Sequence, residues 1–302
     1  MPTGSAVLRR YAPRPDAALD AVVATTWSVA AARGVLDLVS GVARHTAGLH
    51  GLQPLRPPAD AVAAGTVPAL TGDERATVLG FAGQCSLDVA GVTPDQRAAF
   101  LAAAGPAAGD LAAALWVVDV VPRTRAALDA LFGVGPWPTT GHADPGGDLW
   151  GALDGLVRTV PALEDLDPVT SELVRLRGAR QHRCRLCMSI RSRPALLAGA
   201  DESTFAAVDD HGTADLTPLA RAALAFTDAM VWTPGHLDPT VVRALVREAT
   251  PAQRVELVLN VTRNALNKVA VALGADAAHV EDGVEIYDIG PDGSLVYGVS
   301  LD

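Results

Sequence analysis

A threonine or aspartate followed directly by proline recurs along this chain, at Thr93-Pro94, Asp167-Pro168, Thr217-Pro218, Asp238-Pro239 and Thr250-Pro251. Each pair is a helix start. The side-chain oxygen accepts an otherwise unpaired backbone N–H, and proline brings a preset φ to a position where its missing N–H is no loss. Apolar residues at helical spacing follow. Val169, Leu173 and Leu176 share one face, and a helix from Pro218 runs through Leu224 to Met230. After Pro251, Val255, Leu259 and Thr262 align with Val258 and Val261 beside them, and Val269 and Leu273 extend the pattern. The composition agrees. Of 302 residues 49% are apolar but only 4% aromatic, which suits close-packed helices better than strands. The expected fold class is all-α.

The punctuation repeats at a constant offset of 145: Leu79 to Leu224, Phe81 to Phe226, Pro94 to Pro239 and Pro106 to Pro251. Each half then carries an apolar helix, ending near Leu131-Phe132-Gly133 in one and Ala272-Leu273-Gly274 in the other. A shared order of caps and apolar helices argues for duplication of one helical unit. The expected organisation is a helical half over 1–134, a Gly/Pro-rich linker over 135–150, a second helical half over 151–283 and a tail over 284–302. In the tail, Val-Glu-Ile-Tyr-Asp-Ile and Ser-Leu-Val-Tyr-Gly-Val flank Gly290-Pro291-Asp292-Gly293, so a short β-hairpin is expected. A lone hairpin is marginal, so it should pack on the body or on a neighbouring subunit.

The formal net charge is −10. Such a surface repels phosphate backbones and anionic lipid, so neither nucleic acid nor membrane is an expected partner. The apolar run Leu111 to Val121 is short for a span and contains Asp119, and Arg9-Arg10 is followed by Tyr11, Ala12 and Pro13 rather than an apolar core. A cytoplasmic protein is expected.

The three cysteines, Cys85, Cys184 and Cys187, form no structural disulfide framework. Cys184 and Cys187 stand three apart, close enough at the start of a helix to form a disulfide. Helix-start N–H groups and the nearby Arg180, Arg183, Arg185 and Arg191 favour a thiolate. Glu172 lies on the preceding helix, where a turn near Gln181 brings its carboxylate toward the pair as a proton acceptor. Zinc needs four ligands, and only Cys85 and scattered histidines remain, so no metal site is expected. The pair read as two buried small hydrophobes is a further alternative, which the surrounding arginines oppose. Cys85 has no partner in sequence and reads as core. His45 and His50 fall where the first half would carry its copy of the motif, which has no cysteine there.

Glu172-Leu173-Val174-Arg175-Leu176-Arg177, eleven residues from Glu172 to Cys184, Cys184-x-x-Cys187 and the following Arg193-Pro194-Ala195-Leu196 resemble the alkylhydroperoxidase AhpD and carboxymuconolactone decarboxylase-like superfamily. The motif covers about 25 residues. A weaker helical resemblance runs through the second half, with a degenerate copy in the first. The resemblance implies duplicated AhpD-like helical bundle units, homo-oligomers, and peroxide reduction by the cysteine pair with a Glu/His proton relay. Some members instead decarboxylate a lactone. Where the family has histidine, four residues past the second cysteine, this chain has Arg191, which cannot shuttle protons near neutral pH. Leu186 replaces a polar residue. Proton transfer then runs from Glu172 through water or through His182.

The leading expectation is a thiol-dependent peroxidase that reduces alkyl hydroperoxides. Cys187, by analogy with the family, attacks the peroxide and Cys184 condenses with the resulting sulfenic acid. Glu172 manages the proton, and Arg191 or Arg183 holds negative charge. The chemistry needs no bound cofactor, and an external thiol reductant reopens the disulfide. Two alternatives stand beside it. One is a carboxymuconolactone decarboxylase-like enzyme acting on a small organic acid. The other is a non-enzymatic oligomeric helical protein that responds to redox state.

Overall fold

The computed structural model describes residues 2–59, 61, 70–138 and 147–301. Half of the Gly/Pro-rich linker, residues 139–146, lies outside the described residues. The fold is all-helical apart from a small sheet near the C-terminus.

Helices α1 (Gly4–Tyr11), α2 (Pro13–Ala32) and α3 (Leu36–Leu49) open the chain. They are followed by α4 (Gly72–Asp88), α5 (Pro94–Ala104), α6 (Ala108–Phe132) and α7 (Leu149–Thr159). The second part begins with α8 (Pro168–His182), α9 (Arg185–Met188), β1 (Ile190–Ser192), α10 (Arg193–Leu197) and α11 (Glu202–Ala206). It continues with α12 (Pro218–Trp232), α13 (Pro239–Glu248), α14 (Pro251–Asn264) and α15 (Asn267–Leu273), and ends in β2 (Glu285–Ile289) and β3 (Leu295–Tyr297).

The helix starts are where the Thr-Pro and Asp-Pro pairs place them. Thr93, Asp167, Thr217, Asp238 and Thr250 each cap with the side-chain oxygen, and proline follows at the first turn. Thr93 with Gln96 and Thr250 with Gln253 close reciprocal capping boxes. In the first part α3 packs on α4 and α6, and α4 on α5. In the second, α8 packs on α12 and α14, and α12 on α13. α6 meets α14 across the join, and one continuous apolar core runs through both parts. Burying each of its leucines, such as Leu128 or Leu257, contributes about 2 kcal/mol.

The stretch Pro94–Phe132 is by length and composition able to cross a membrane. Here α6 is a core helix, buried along most of its length and carrying Asp119 and Arg123 inside. Pro122 sits within it, where packing outweighs the hydrogen bond that proline cannot make.

Two features depart from the local reading. The helix after Pro251 does not run on to Leu273. It ends at Asn264 and restarts at Asn267 with neither glycine nor proline at the break. The restart sets Asn267 against His182 and Lys268 against Asp119. The C-terminal hairpin is present, but β2 also pairs in parallel with β1, matching Arg191 to Ile286 and Ser192 to Tyr287. The hairpin therefore packs on its own chain, beside the cysteine pair.

Candidate active site

The geometry of the cysteine pair follows from how α8 ends. Arg183 caps the helix in the left-handed region (φ 52°), and the Cys184 N–H returns to the Ala179 carbonyl at 3.0 Å. The chain reverses and starts α9 with Cys184 as its N-cap, the Cys184 Sγ accepting the Cys187 N–H at 3.3 Å. Asp276 fixes this start from beyond α15. Its carbonyl takes the Leu186 N–H, and its carboxylate takes the Arg185 N–H and guanidinium. Cys184 and Cys187 form a disulfide, with Cα atoms 5.3 Å apart. Their exposure differs: Cys184 is buried, whereas Cys187 is partly open.

Glu172 is buried and fully engaged. Its two oxygens accept both prongs of the Arg175 guanidinium at 2.7 Å, the Ser192 N–H at 3.1 Å and the Tyr287 hydroxyl at 2.9 Å. Arg175 continues to the carbonyls of Cys187 at 2.7 Å and Ile190 at 2.9 Å. The structure thus joins Glu172 to the cysteine turn through Arg175 rather than by contact with sulfur. With four donors on it, the carboxylate orients the turn. Burial and then the neighbouring Glu172 charge push the Tyr287 phenol well above its ordinary range, so it remains a donor.

The two other candidate residues are committed elsewhere. His182 is buried with its Nδ1 2.7 Å from the Asn267 Oδ1, and burial, reinforced by Lys268, pushes it down to about 3. It is neutral at physiological pH and, among the described residues, has no hydrogen bond to either cysteine. Arg191 pairs with Glu202 at 2.8 Å, donates to the Met188 and Ile190 carbonyls and lies over the Phe205 ring. It ties the α9–β1 turn to α11 instead of facing a thiolate.

A second polar cluster sits between the two parts. Asp119 accepts from Ser86 and Lys268, both at 2.6 Å, and from Arg123 at 2.9 Å. Arg123 also reaches the His50 ring and the Val231 carbonyl. Despite its burial the Asp119 carboxyl is held well below the ordinary carboxylate range by Arg123 and Lys268. Burial raises the neighbouring Cys85 thiol to about 12, so it stays protonated. This cluster cements α4, α6 and α15, and His50 belongs to it.

The disulfide forms part of the wall of a cleft of about 270 Å³ between α9, the start of α15 and the hairpin. Leu186, Ile190, Leu266 and Leu295 make it largely apolar, and Arg263, Tyr287 and Tyr297 supply the polar edge. The sequence reading missed Arg175 as a bridge, and it missed Tyr287 and Arg263 altogether. Arg175 stands three residues after Glu172 and carried a local signal for the ion pair. Tyr287 and Arg263 carried none.

Two relatives are each 42% identical to the chain over 230 residues, which is 74% of this chain and 81% of each of them. Both are from Mycobacterium tuberculosis: uncharacterized protein Rv2313c of strain H37Rv and uncharacterized protein MT2376 of strain CDC 1551. The chain belongs to their family. No family model and no solved structure matches it. The family of Rv2313c and MT2376 thus includes a helical protein with a closed Cys-x-x-Cys pair beside a buried Glu–Arg–Tyr network.

Proposed function

We propose that this protein is a dithiol–disulfide oxidoreductase that reduces organic hydroperoxides and is recharged by an external thiol. The observation that carries this reading is the pairing of a partly open Cys187 with a buried Cys184 at the wall of an apolar cleft. The likeness of the Glu172-to-Cys187 stretch to the AhpD-like superfamily supports it.

In the reduced form the Cys187 thiolate attacks the outer oxygen of ROOH. The O–O bond breaks, RO⁻ leaves and takes a proton from solvent, and Cys187 becomes a sulfenic acid. Cys184, whose sulfur accepts the Cys187 N–H, attacks that sulfur as a thiolate. Hydroxide departs as water once protonated, and the disulfide closes. Two equivalents of an external thiol complete the cycle. The first attacks the accessible Cys187, Cys184 leaves as the stabilised thiolate, and the second releases the mixed disulfide. Glu172 and Arg175 are positioning residues that hold the Cys187 and Ile190 carbonyls.

The remaining features of the reading are a cytoplasmic location and a homo-oligomer built from duplicated helical units, the first lacking the cysteines. Light scattering on the purified chain tests the assembly, and a stable monomer at micromolar concentration refutes it.

The decisive experiment reduces the protein, removes the reductant and adds cumene hydroperoxide. Mass spectrometry should find one Cys184–Cys187 disulfide and one cumyl alcohol per dithiol, reversed by dithiothreitol. Two alkylatable thiols after peroxide treatment would sink the proposal.

A further inference from the structure

Arg263 is the one charged group of the cleft that forms no ion pair among the described residues. It stands on α14 between Asn260 and Asn264 and donates its Nε–H to the Val157 carbonyl of α7 at 3.1 Å. That bond sets the direction of the guanidinium. No described hydrogen bond or ion pair occupies its two terminal nitrogens, and the side chain lines the cleft that holds the disulfide. Arg175, the other guanidinium there, is neutralised by Glu172. Among the described residues no carboxylate lines this cleft. Arg263 also lines the adjoining cleft, whose acids Glu164, Glu172, Glu256 and Asp288 form no ion pair with it, Glu172 being held by Arg175. Glu256 is taken by the amides of Asp165 and Leu166, and Asp288 by Arg193. Burial and then the nearby Arg175 cation disfavour the charged form of Arg263, outweighing Tyr287, Tyr297 and Glu172. A part-buried guanidinium that lines an apolar cleft and has its terminal nitrogens free of protein partners among the described residues suits an anion. Its planar fork matches a carboxylate, and the surrounding Leu186, Ile190, Leu266 and Leu295 match a hydrocarbon body.

We propose that the cleft over the cysteine pair binds organic acids, with Arg263 holding the carboxylate and the apolar wall holding the rest of the molecule beside Cys187. Resting on the dithiol reading, this assigns the substrate class: hydroperoxides that carry a carboxylate. Arg263 is a specificity-determining residue and takes no part in moving electrons.

The test needs neither turnover nor the true substrate. Isothermal titration calorimetry compares 3-phenylpropionate with its uncharged amide, 3-phenylpropanamide, on the full-length disulfide form. The acid should bind at least about tenfold more tightly, and Arg263→Gln should erase that preference while leaving the amide unchanged. Arg263→Lys should keep part of it. The wild-type comparison requires no variant to fold. Equal affinities, no measurable binding of the acid, or a preference that survives in a folded Arg263→Gln protein would each overturn the proposal. The cumene hydroperoxide assay on the wild-type protein, run beside this titration, separates the two readings. An acid preference in a wild-type protein that reduces no peroxide leaves the anion site standing without the redox chemistry. Its absence in a wild-type protein that reduces peroxide removes the anion site alone.

Discussion

The Tyr287 hydroxyl donates to the Glu172 carboxylate at 2.9 Å, across 115 positions of chain. The C-terminal hairpin is thereby a wall of the candidate site. β2 pairs with β1 immediately after the cysteine turn, and its central tyrosine closes over the carboxylate that anchors Arg175. Removing the hydroxyl leaves Glu172 with three of its four donors. Tyr287→Phe should cost about 1.5–3 kcal/mol of stability, the range for a hydrogen bond to a buried charge. Urea unfolding followed by circular dichroism measures it, and an unchanged midpoint would show the bond to be dispensable.

The Glu172–Arg175 pair is buried on both sides, so breaking it from either side strands a charge. Glu172→Gln alone should destabilise the fold by about 3–5 kcal/mol, and Arg175→Met by a similar amount. The double variant Glu172→Leu/Arg175→Met should lose clearly less than the two single losses together. Chemical denaturation of the three proteins checks this. Strict additivity would mean that the pair does not act as a unit.

The cysteines should fail in different ways. Cys187→Ser should abolish peroxide consumption, because it removes the accessible sulfur. Cys184→Ser should permit one attack and then stop, leaving a sulfenic acid on Cys187 that dimedone captures. Dimedone adduct on Cys184 in the Cys187→Ser protein would reverse the assigned roles.

Acid should weaken the fold well above the carboxylate range. His182 is held near 3 in the folded chain and titrates near 6.5 when unfolded, so between those values the unfolded chain binds the extra proton. Stability from this residue is complete above about pH 6.5 and falls by about 1.4 kcal/mol per pH unit as the pH drops toward 3. His50, pushed down to about 4 by burial and Arg123, adds the same sign over a narrower window. Melting temperatures between pH 7 and 4 should fall steeply for the wild type and less steeply for His182→Gln. Parallel slopes would mean that His182 does not couple to folding.

What the sequence by itself determined is what is decided within a few residues. A threonine or aspartate oxygen reaches an N–H two or three positions on, and proline carries its own φ. The starts of α5, α8, α12, α13 and α14 therefore follow from the chain alone. The same holds for the hairpin turn at Gly290–Gly293 and for Cys184 and Cys187, whose closeness is a property of one helical turn. Only the tertiary structure decided the partners of charges, because a partner is whatever side chain folding brings within 3 Å. Beyond its helix neighbour Arg175, Glu172 took Tyr287 instead of a thiol, Arg191 took Glu202, and His182 took Asn267 from 85 positions away. The break after Asn264 and the strand β1 have the same origin. Contacts from α8, α6 and the hairpin outweigh the local preference for an unbroken helix, and no pattern within those segments records which distant residues will meet them.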